Sequence, residues 1–336
     1  MTNAFKKFSD KIVQLYHSLK DYLSIPINRK KIIAKVGIFV VNLLKYIIMI
    51  GLSFIIVYPL LLQISVAIRH PVDINDPTVM WIPKSLSLKN FEIAMIALHY
   101  WPALGSSLMN SVFVSLFTVI STALAGYSFA RLKFKGSGFL FVLALFTIVV
   151  PQTMISLPLY IDLANANLLG KKYVLYLMAA LGSGIKSGIF IYLFRQFFKG
   201  IPYELEEAAY VDGANVFQVF YKVMLPNARS GIITVALLSF VWQWNDFYFT
   251  NLFFVNGQAD VFTLATQQQS ILHGLQDALK EANIWQLMGQ DITQNSLFVS
   301  MILNTAGILV MLPVLIMYFF VQKLFVEGIE RSGIVG

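Results

Sequence analysis

The sequence predicts an all-α polytopic membrane protein with six transmembrane helices. Three observations carry that reading: composition, six long apolar runs and an uneven spread of basic residues. Of the 336 residues, 57% are hydrophobic and 12% charged, with a mean hydropathy of +0.70. A soluble domain carries about a quarter charged residues, and a single soluble core stops growing at roughly 250–300 residues. The apolar surplus therefore needs lipid as its solvent, which excludes an ordinary cytosolic enzyme. Cysteine is absent, so disulfide frameworks, thiol nucleophiles and cysteine-held metals are excluded as well.

A bilayer core takes about 20 mostly apolar residues per helix. Runs of that kind lie at 46–67, 108–130, 139–158, 173–194, 232–255 and 296–321. Eighteen of the 25 Lys and Arg residues fall in segments 1–45, 131–138, 195–231 and 322–336, six fall in the alternate segments, and Lys186 lies inside the fourth run. The positive-inside rule then places both termini in the cytoplasm. The net charge of +8 is accounted for as a topology signal rather than a nucleic-acid patch.

Segment 1–45 carries Phe5, Phe8, Ile12, Leu15, Tyr16 and Leu19 at spacings of three and four among its lysines. That pattern fits a basic amphipathic segment on the inner leaflet, and equally a plain basic flank. No apolar core of the kind a cleavable signal peptide needs occurs before about residue 36. The outer loops 68–107 and 256–295 are long enough to carry structure of their own, with a helix expected over 262–280. No inverted repeat of the secondary-transporter kind is present. Pro59, Pro151 and Pro313 should kink their spans, and Gly182, Gly184 and Gly188 suit close packing of the fourth.

The link 195–231 between the fourth and fifth spans is far longer than a turn requires. Pro202 suits the first position of a helix, and Glu204, Glu206 and Glu207 complement the positive end of its dipole. Gly213 permits a sharp turn, Asn215 suits the cap of a second short helix, and Leu225-Pro226 should end it. Two short helices at an angle are expected on the cytoplasmic surface.

Glu207-Ala208-Ala209, Gly213, Val223 and Leu225-Pro226, at these spacings, resemble the EAA signature of ABC-importer permease subunits, with Val223 where that family usually has Ile. The surrounding IPYELEEAAYVDGAN, the run VWQWNDF at 241–247 and the end GIERSGIVG resemble the carbohydrate (MalG-type) branch; Ser230 stands where that branch often has a second proline. The resemblance covers roughly residues 80–336. It implies the ABC type I importer permease fold; the apolar runs and basic residues divide the chain into a basic amphipathic segment 1–45, a transmembrane domain 46–321 and a cytoplasmic tail 322–336. It further implies that Glu207, Ala208, Ala209, Gly213, Leu225 and Pro226 couple the chain to a separate ATPase dimer, which uses ATP and magnesium. The implied partners are a second (MalF-type) permease, an extracellular binding protein and a carbohydrate, with no cofactor held by this chain. In that branch the companion permease makes most of the sugar contacts.

The chain has no phosphate loop of its own; Gly182-Ser-Gly-Ile-Lys-Ser187 lacks the Gly-Lys adjacency and lies inside a span. Two ionisable residues fall inside spans, Lys186 and Asp246. Each costs about 2.5–3.5 kcal/mol at the bilayer centre, so each should face protein or water. Their depths differ by roughly 9 Å at the helical rise, so a direct pair needs tilt. Trp242, Trp244, Asn245, Asp246 and Lys186 suit a sugar path, and equally suit polar helix–helix contacts and interfacial anchoring. The four histidines are scattered without metal-ligand spacing. A self-sufficient secondary transporter or channel is the competing reading, and a membrane enzyme finds no catalytic constellation.

Overall fold

The computed structural model describes residues 26–76, 81–254, 262–282, 293 and 295–333. The first 25 residues, on which the amphipathic reading mainly rests, lie outside them. The described residues are almost entirely helical and form no strand, with one isolated bridge between Arg69 and Leu86. The all-α expectation is met. By contact the chain divides into two compact units, Met1–Gln63 and Ile64–Gly336.

Helix α1 is Pro26–Ala67. It begins well before the predicted span because no proline lies between Pro26 and the apolar run that starts at Val36; Pro59 sits further along, inside the helix. Its side chains from Val36 to Val57 are exposed, as in a helix solvated by lipid.

The second unit opens with a 3-10 turn, Pro71–Asn75, and α2, Lys89–Ala97. Asn90 on α2 is buried and donates to the carbonyls of Ala67 (2.9 Å) and Arg69 (2.6 Å). Helix α3, Tyr100–Arg131, is the central pillar. It starts eight residues before the predicted span. Helices α4, Ser137–Val149, and α5, Gln152–Asn165, divide the predicted third span with a bend of 104°. Pro151 forces Val150 into extended backbone (ψ 121°), which a helix cannot use.

The predicted fourth span is also divided, into α6, Tyr173–Ala180, and α7, Ser187–Lys199. Gly182 (φ +72°) and Lys186 (φ +59°) both take left-handed backbone between them. Of the three glycines expected to pack this span, two therefore belong to the break. Gly188 does pack: a Cβ there would meet Thr147 Oγ1 at 2.5 Å and the Ala144 carbonyl at 2.7 Å.

Helix α8 is Tyr203–Val211, and α9 begins at Val216. A π-helical turn, Phe220–Met224, carries α9 on to Asn227. Helix α10, Arg229–Trp244, follows at 79°. The helix thus ends one residue beyond Pro226, because the widened turn before the proline accommodates its missing N–H. Helix α11, Tyr248–Phe253, takes up the end of the predicted fifth span. Helix α12, Leu264–Glu281, matches the helix expected in the last long loop; Thr263 caps it in a reciprocal pair with Thr266. Helix α13, Ser296–Gly333, closes the chain, with Pro313 inside it.

Three apolar clusters organise the second unit. One joins α2, α12 and α13 to the start of α3, with Trp244 inserted. A second joins the end of α3 to α7, α9 and α10. A third joins the middle of α3 to α5, α6 and α11. Where helices meet in lipid, hydrophobic burial gives little, so polar contacts add specificity. Ser115 on α3 donates to the Ala236 carbonyl (2.8 Å) and meets Ser239 (2.8 Å), while Tyr176 on α6 donates to Asn110 on α3 (2.7 Å). Among the described residues, three helices are long and apolar enough to cross a membrane unbroken, within Ala34–Ala67, Tyr100–Arg131 and Ser296–Lys323, and up to five if each of two bent pairs counts as one span.

Candidate functional site

Arginines fasten the base of the link between α7 and α10. Arg131, the last residue of α3, is almost wholly buried. Its Nε and Nη2 donate to the Phe198 carbonyl at 3.1 and 2.6 Å, and Nη2 also donates to the Ile201 carbonyl. Phe198 lies at the C-terminal end of α7, where the helix dipole favours a cation, and Ile201 follows just beyond it. The guanidinium lies 4.0 Å from the Tyr203 ring centroid and 3.5 Å from Glu206 Oε1, both on α8. Arg195 on α7 reciprocates by donating to the Phe129 carbonyl of α3 (3.3 Å), its guanidinium 4.1 Å from the Phe141 ring centroid. Burial raises the Glu206 carboxyl above its ordinary value, and the Arg131 charge offsets this only in part.

The two helices beyond this clamp form as the local sequence dictates. Pro202 precedes α8 as its N-cap, one position earlier than expected. Gly213 makes the turn at φ +82°. Asn215 accepts from the Gln218 N–H (2.9 Å) while the Gln218 side chain accepts from the Asn215 N–H (2.9 Å). Val219, Met224 and Ala228 anchor the second helix in the cluster with α3 and α7.

The predicted coupling residues distribute themselves on this frame as follows. Glu207 and Ala208 are exposed, Ala209 is half-buried against the cluster, Gly213 is exposed in the turn, Leu225 is half-buried and Pro226 exposed. Around them stand exposed apolar side chains, foremost Val211 (87% exposed) and Phe217 (74%), with Leu205, Tyr210 and Tyr221. Monomers seldom leave so contiguous a set of large apolar groups on one short segment without something to cover it.

The five predicted path residues are not brought together. Trp242 packs on Phe190 with ring centroids 5.1 Å apart. Trp244 is buried, stacked on Phe240, and donates from Nε1 to the Val310 carbonyl on α13 (3.1 Å). Asn245 bonds back to the Val241 carbonyl (2.8 Å). Asp246 caps α11, accepting from the N–H groups of Phe249 (3.2 Å) and Thr250 (3.0 Å) and from the Thr250 hydroxyl (2.8 Å). Lys186 is exposed in the α6–α7 break, and among the described residues no ion pair joins it to Asp246.

That break lines a cavity of about 340 Å³ where α4, α6, α7 and α11 meet. Gln243 and Ser187 also line it. Both are buried, and neither Gln243 amide atom nor the Ser187 hydroxyl has a hydrogen-bond partner. Each such orphan costs about 1–3 kcal/mol. The sequence singled out neither residue, nor Arg131 except as an inside charge. A terminal arginine at the end of an apolar helix is the one signal that pointed to the clamp.

The fold has a solved counterpart. A bacterial ABC transporter involved in the import of the acidic polysaccharide alginate contains a chain of similar fold, with a TM-score of 0.64 at 20% identity over 84% of this chain and 96% of that one. In sequence, the chain is 33% identical over 252 residues to a probable ABC transporter permease protein of Pyrococcus horikoshii, covering 73% of this chain and 80% of that protein. It is 28% identical to the arabinooligosaccharides transport system permease protein AraQ of Halalkalibacterium halodurans, covering 85% and 93%. It is 27% identical to the maltodextrin transport system permease protein MalD of Streptococcus pneumoniae, covering 86% and 94%. With the two bent helices, the clamp and the exposed apolar face inside the stretch 122–331 that matches the family model, the chain belongs to the inner-membrane components of binding-protein-dependent transport systems.

Proposed function

We propose that this chain is the transmembrane permease subunit of an ATP-driven importer for a carbohydrate, of oligosaccharide size. The observation that carries the reading is the α8–α9 pair: a rigidly fastened base with an exposed face holding Glu207, Ala208, Val211 and Phe217. A separate ATPase docks there. Ala208 is small enough for close approach, Glu207 offers a carboxylate to a basic or N–H donor, and Gly213 fixes the angle between the helices. Ala209, Leu225 and Pro226 carry the displacement into α10. Closure of an ATPase dimer pulls this lever, turns the path outward, and hydrolysis resets it.

On this reading the chain holds no ATPase site and no cofactor; ATP and magnesium act on the partner. A second permease completes the path and an external binding protein delivers the sugar. The spans number six with both termini inside, segment 1–45 lies on the cytoplasmic side, and 322–336 is a cytoplasmic tail. Relatives named for arabinooligosaccharides and maltodextrin support a saccharide substrate. On this reading Trp242 and Trp244 on α10, Asn245 and Asp246 just beyond it, and Lys186 in the α6–α7 break border the path.

The test is coupled uptake by the reconstituted complex. Glu207→Lys and Gly213→Pro should assemble normally yet lose uptake while ATP hydrolysis continues. Proline cannot adopt the φ of +82° that the turn uses. Full coupled uptake in both variants would refute the lever, and ATP-independent flux through liposomes holding this chain alone would establish the secondary-transporter reading instead.

A further inference from the structure

We infer that Lys186 makes the cavity beside the α6–α7 break an anion-accepting subsite, so that the saccharide carried by this subunit bears an acidic group. The inference deepens the transport reading above and rests on it. Three features of Lys186 lead there. The first is depth. From Lys186, α7 rises about 20 Å to Lys199, and α6 covers about 12 Å towards the other end of the predicted span. A four-carbon stem does not bridge such lengths, so the charge stays inside the membrane, where it must face protein or water. The second is setting. Lys186 is the N-cap of α7, yet its side chain makes no capping hydrogen bond, and a cation there opposes the helix dipole. Its φ of +59° is left-handed backbone that a lysine seldom adopts. Costs of this kind gather on positions kept for a ligand rather than for the fold. The third is company. Among the described residues that line the cavity, Lys186 is the one charged side chain, and none is Asp or Glu. Lys186 is exposed, and no ion pair joins it to a described residue.

A carboxylate or phosphate on the sugar supplies the missing counter-charge. The ammonium group donates to either in charge-assisted hydrogen bonds, roughly twice as strong as neutral ones. The same anion is favoured at the N-terminal end of α7. The rest of the lining suits the rest of a sugar. Thr147 and Ser183 are exposed there, and their hydroxyls donate to the carbonyls of Ala144 (2.7 Å) and Met178 (3.1 Å). Each oxygen is thereby left to accept from a sugar hydroxyl. Ile155, Leu159 and Met178 supply an apolar wall for the C–H face of the ring, in a cavity whose volume of about 340 Å³ is of a size with small-ligand pockets. The unpaired atoms of Gln243 and Ser187 are buried and take no part.

Equilibrium dialysis against the solubilised complex of both permeases and the ATPase tests this with paired radiolabelled probes: digalacturonate with neutral galactobiose, and cellobiose 6-phosphate with neutral cellobiose. ATP-driven uptake of the same probes, with arabinotriose and maltotriose, is measured in proteoliposomes supplied with the binding protein. Wild type should bind at least one acidic probe about tenfold or more tightly than its neutral counterpart, the gain expected from a hydrogen bond to a charged group. Which pair shows the preference tells carboxylate from phosphate. Lys186→Gln should abolish the preference and leave neutral binding unchanged, and Lys186→Arg should keep it. A lysine that only supported the fold would move both members of a pair alike. Binding of neither acidic probe by wild type, equal affinity within both pairs, or an undiminished preference in Lys186→Gln overturns the subsite. Loss of the companion permease from the Lys186→Gln complex also overturns it, by assigning the lysine to a carboxylate of that partner. ATP-driven uptake of neutral saccharides alone overturns the subsite and leaves the transport reading standing. Absence of ATP-driven uptake of every probe overturns the transport reading, and the subsite falls with it.

Discussion

Arg131 gathers four groups from α7, α8 and the link between them: the carbonyls of Phe198 and Ile201, the Tyr203 ring and the Glu206 carboxylate. Breaking a buried pair by removing one partner costs about 3–5 kcal/mol, because the other is left uncompensated. Arg131→Met should therefore lower the thermal midpoint of the solubilised complex, while Glu206→Gln should lower it less, because Arg131 keeps the Phe198 and Ile201 carbonyls as acceptors. Glu206 also sets a pH dependence. Its folded value is raised, so the folded chain holds that proton more tightly than the unfolded one. The stability this lends is full below the ordinary carboxylate value near 4.5 and is lost as pH rises through the raised value. Wild type should lose stability from this source as pH climbs, and Glu206→Gln should flatten the curve in the same melting series. At this scale the sequence was partly legible. Asn215 as a cap and Gly213 as a turn followed from local chemistry. Gln243 and Ser187 did not, because a hydrogen bond left unmade is a property of neighbours rather than of the residue.

Among the elements, apolar length found α1, α3 and α13 as single helices, while the runs at 139–158, 173–194 and 232–255 are each divided. Each is apolar enough to span, and each is broken in the fold by Pro151, by Gly182 with Lys186, or by Asn245-Asp246. Hydropathy reports transfer into lipid and is blind to backbone dihedrals; these breaks are settled by proline sterics, left-handed residues and a capping carboxylate. The contact of α7 with α4 gives a test. Gly188→Val would drive its side chain into Thr147 and the Ala144 carbonyl. Overpacking of this kind costs about 1–3 kcal/mol, so the variant should melt at lower temperature than wild type; an unchanged midpoint would show that α4 gives way freely.

For the whole molecule, the decisive issue is sidedness. The chain has no cysteine, so each introduced thiol is unique. Lys280→Cys, near the end of α12, should react with a membrane-impermeant maleimide in intact cells. Lys222→Cys, in the π-helical turn of α9, should react only after permeabilisation. Labelling of Lys222→Cys from outside would place the lever on the wrong face and end the coupling proposal. The expected orientation rests on charge: the lever carries Lys222 and Arg229, and α3 enters it through Arg131.

The residues alone determined that this is an all-α membrane protein with a long basic link of two short helices, because apolar mass, charge asymmetry and turn chemistry are local quantities summed along the chain. Only the tertiary structure decided that an arginine from α3 fastens that link, that Trp244 and Asp246 serve the fold, and that Gln243 and Ser187 are buried without hydrogen-bond partners. Burial and hydrogen-bond satisfaction are set by what packs alongside, over separations of 67 residues for Arg131 with Phe198 and 66 for Trp244 with Val310, and no pattern within one helix encodes them.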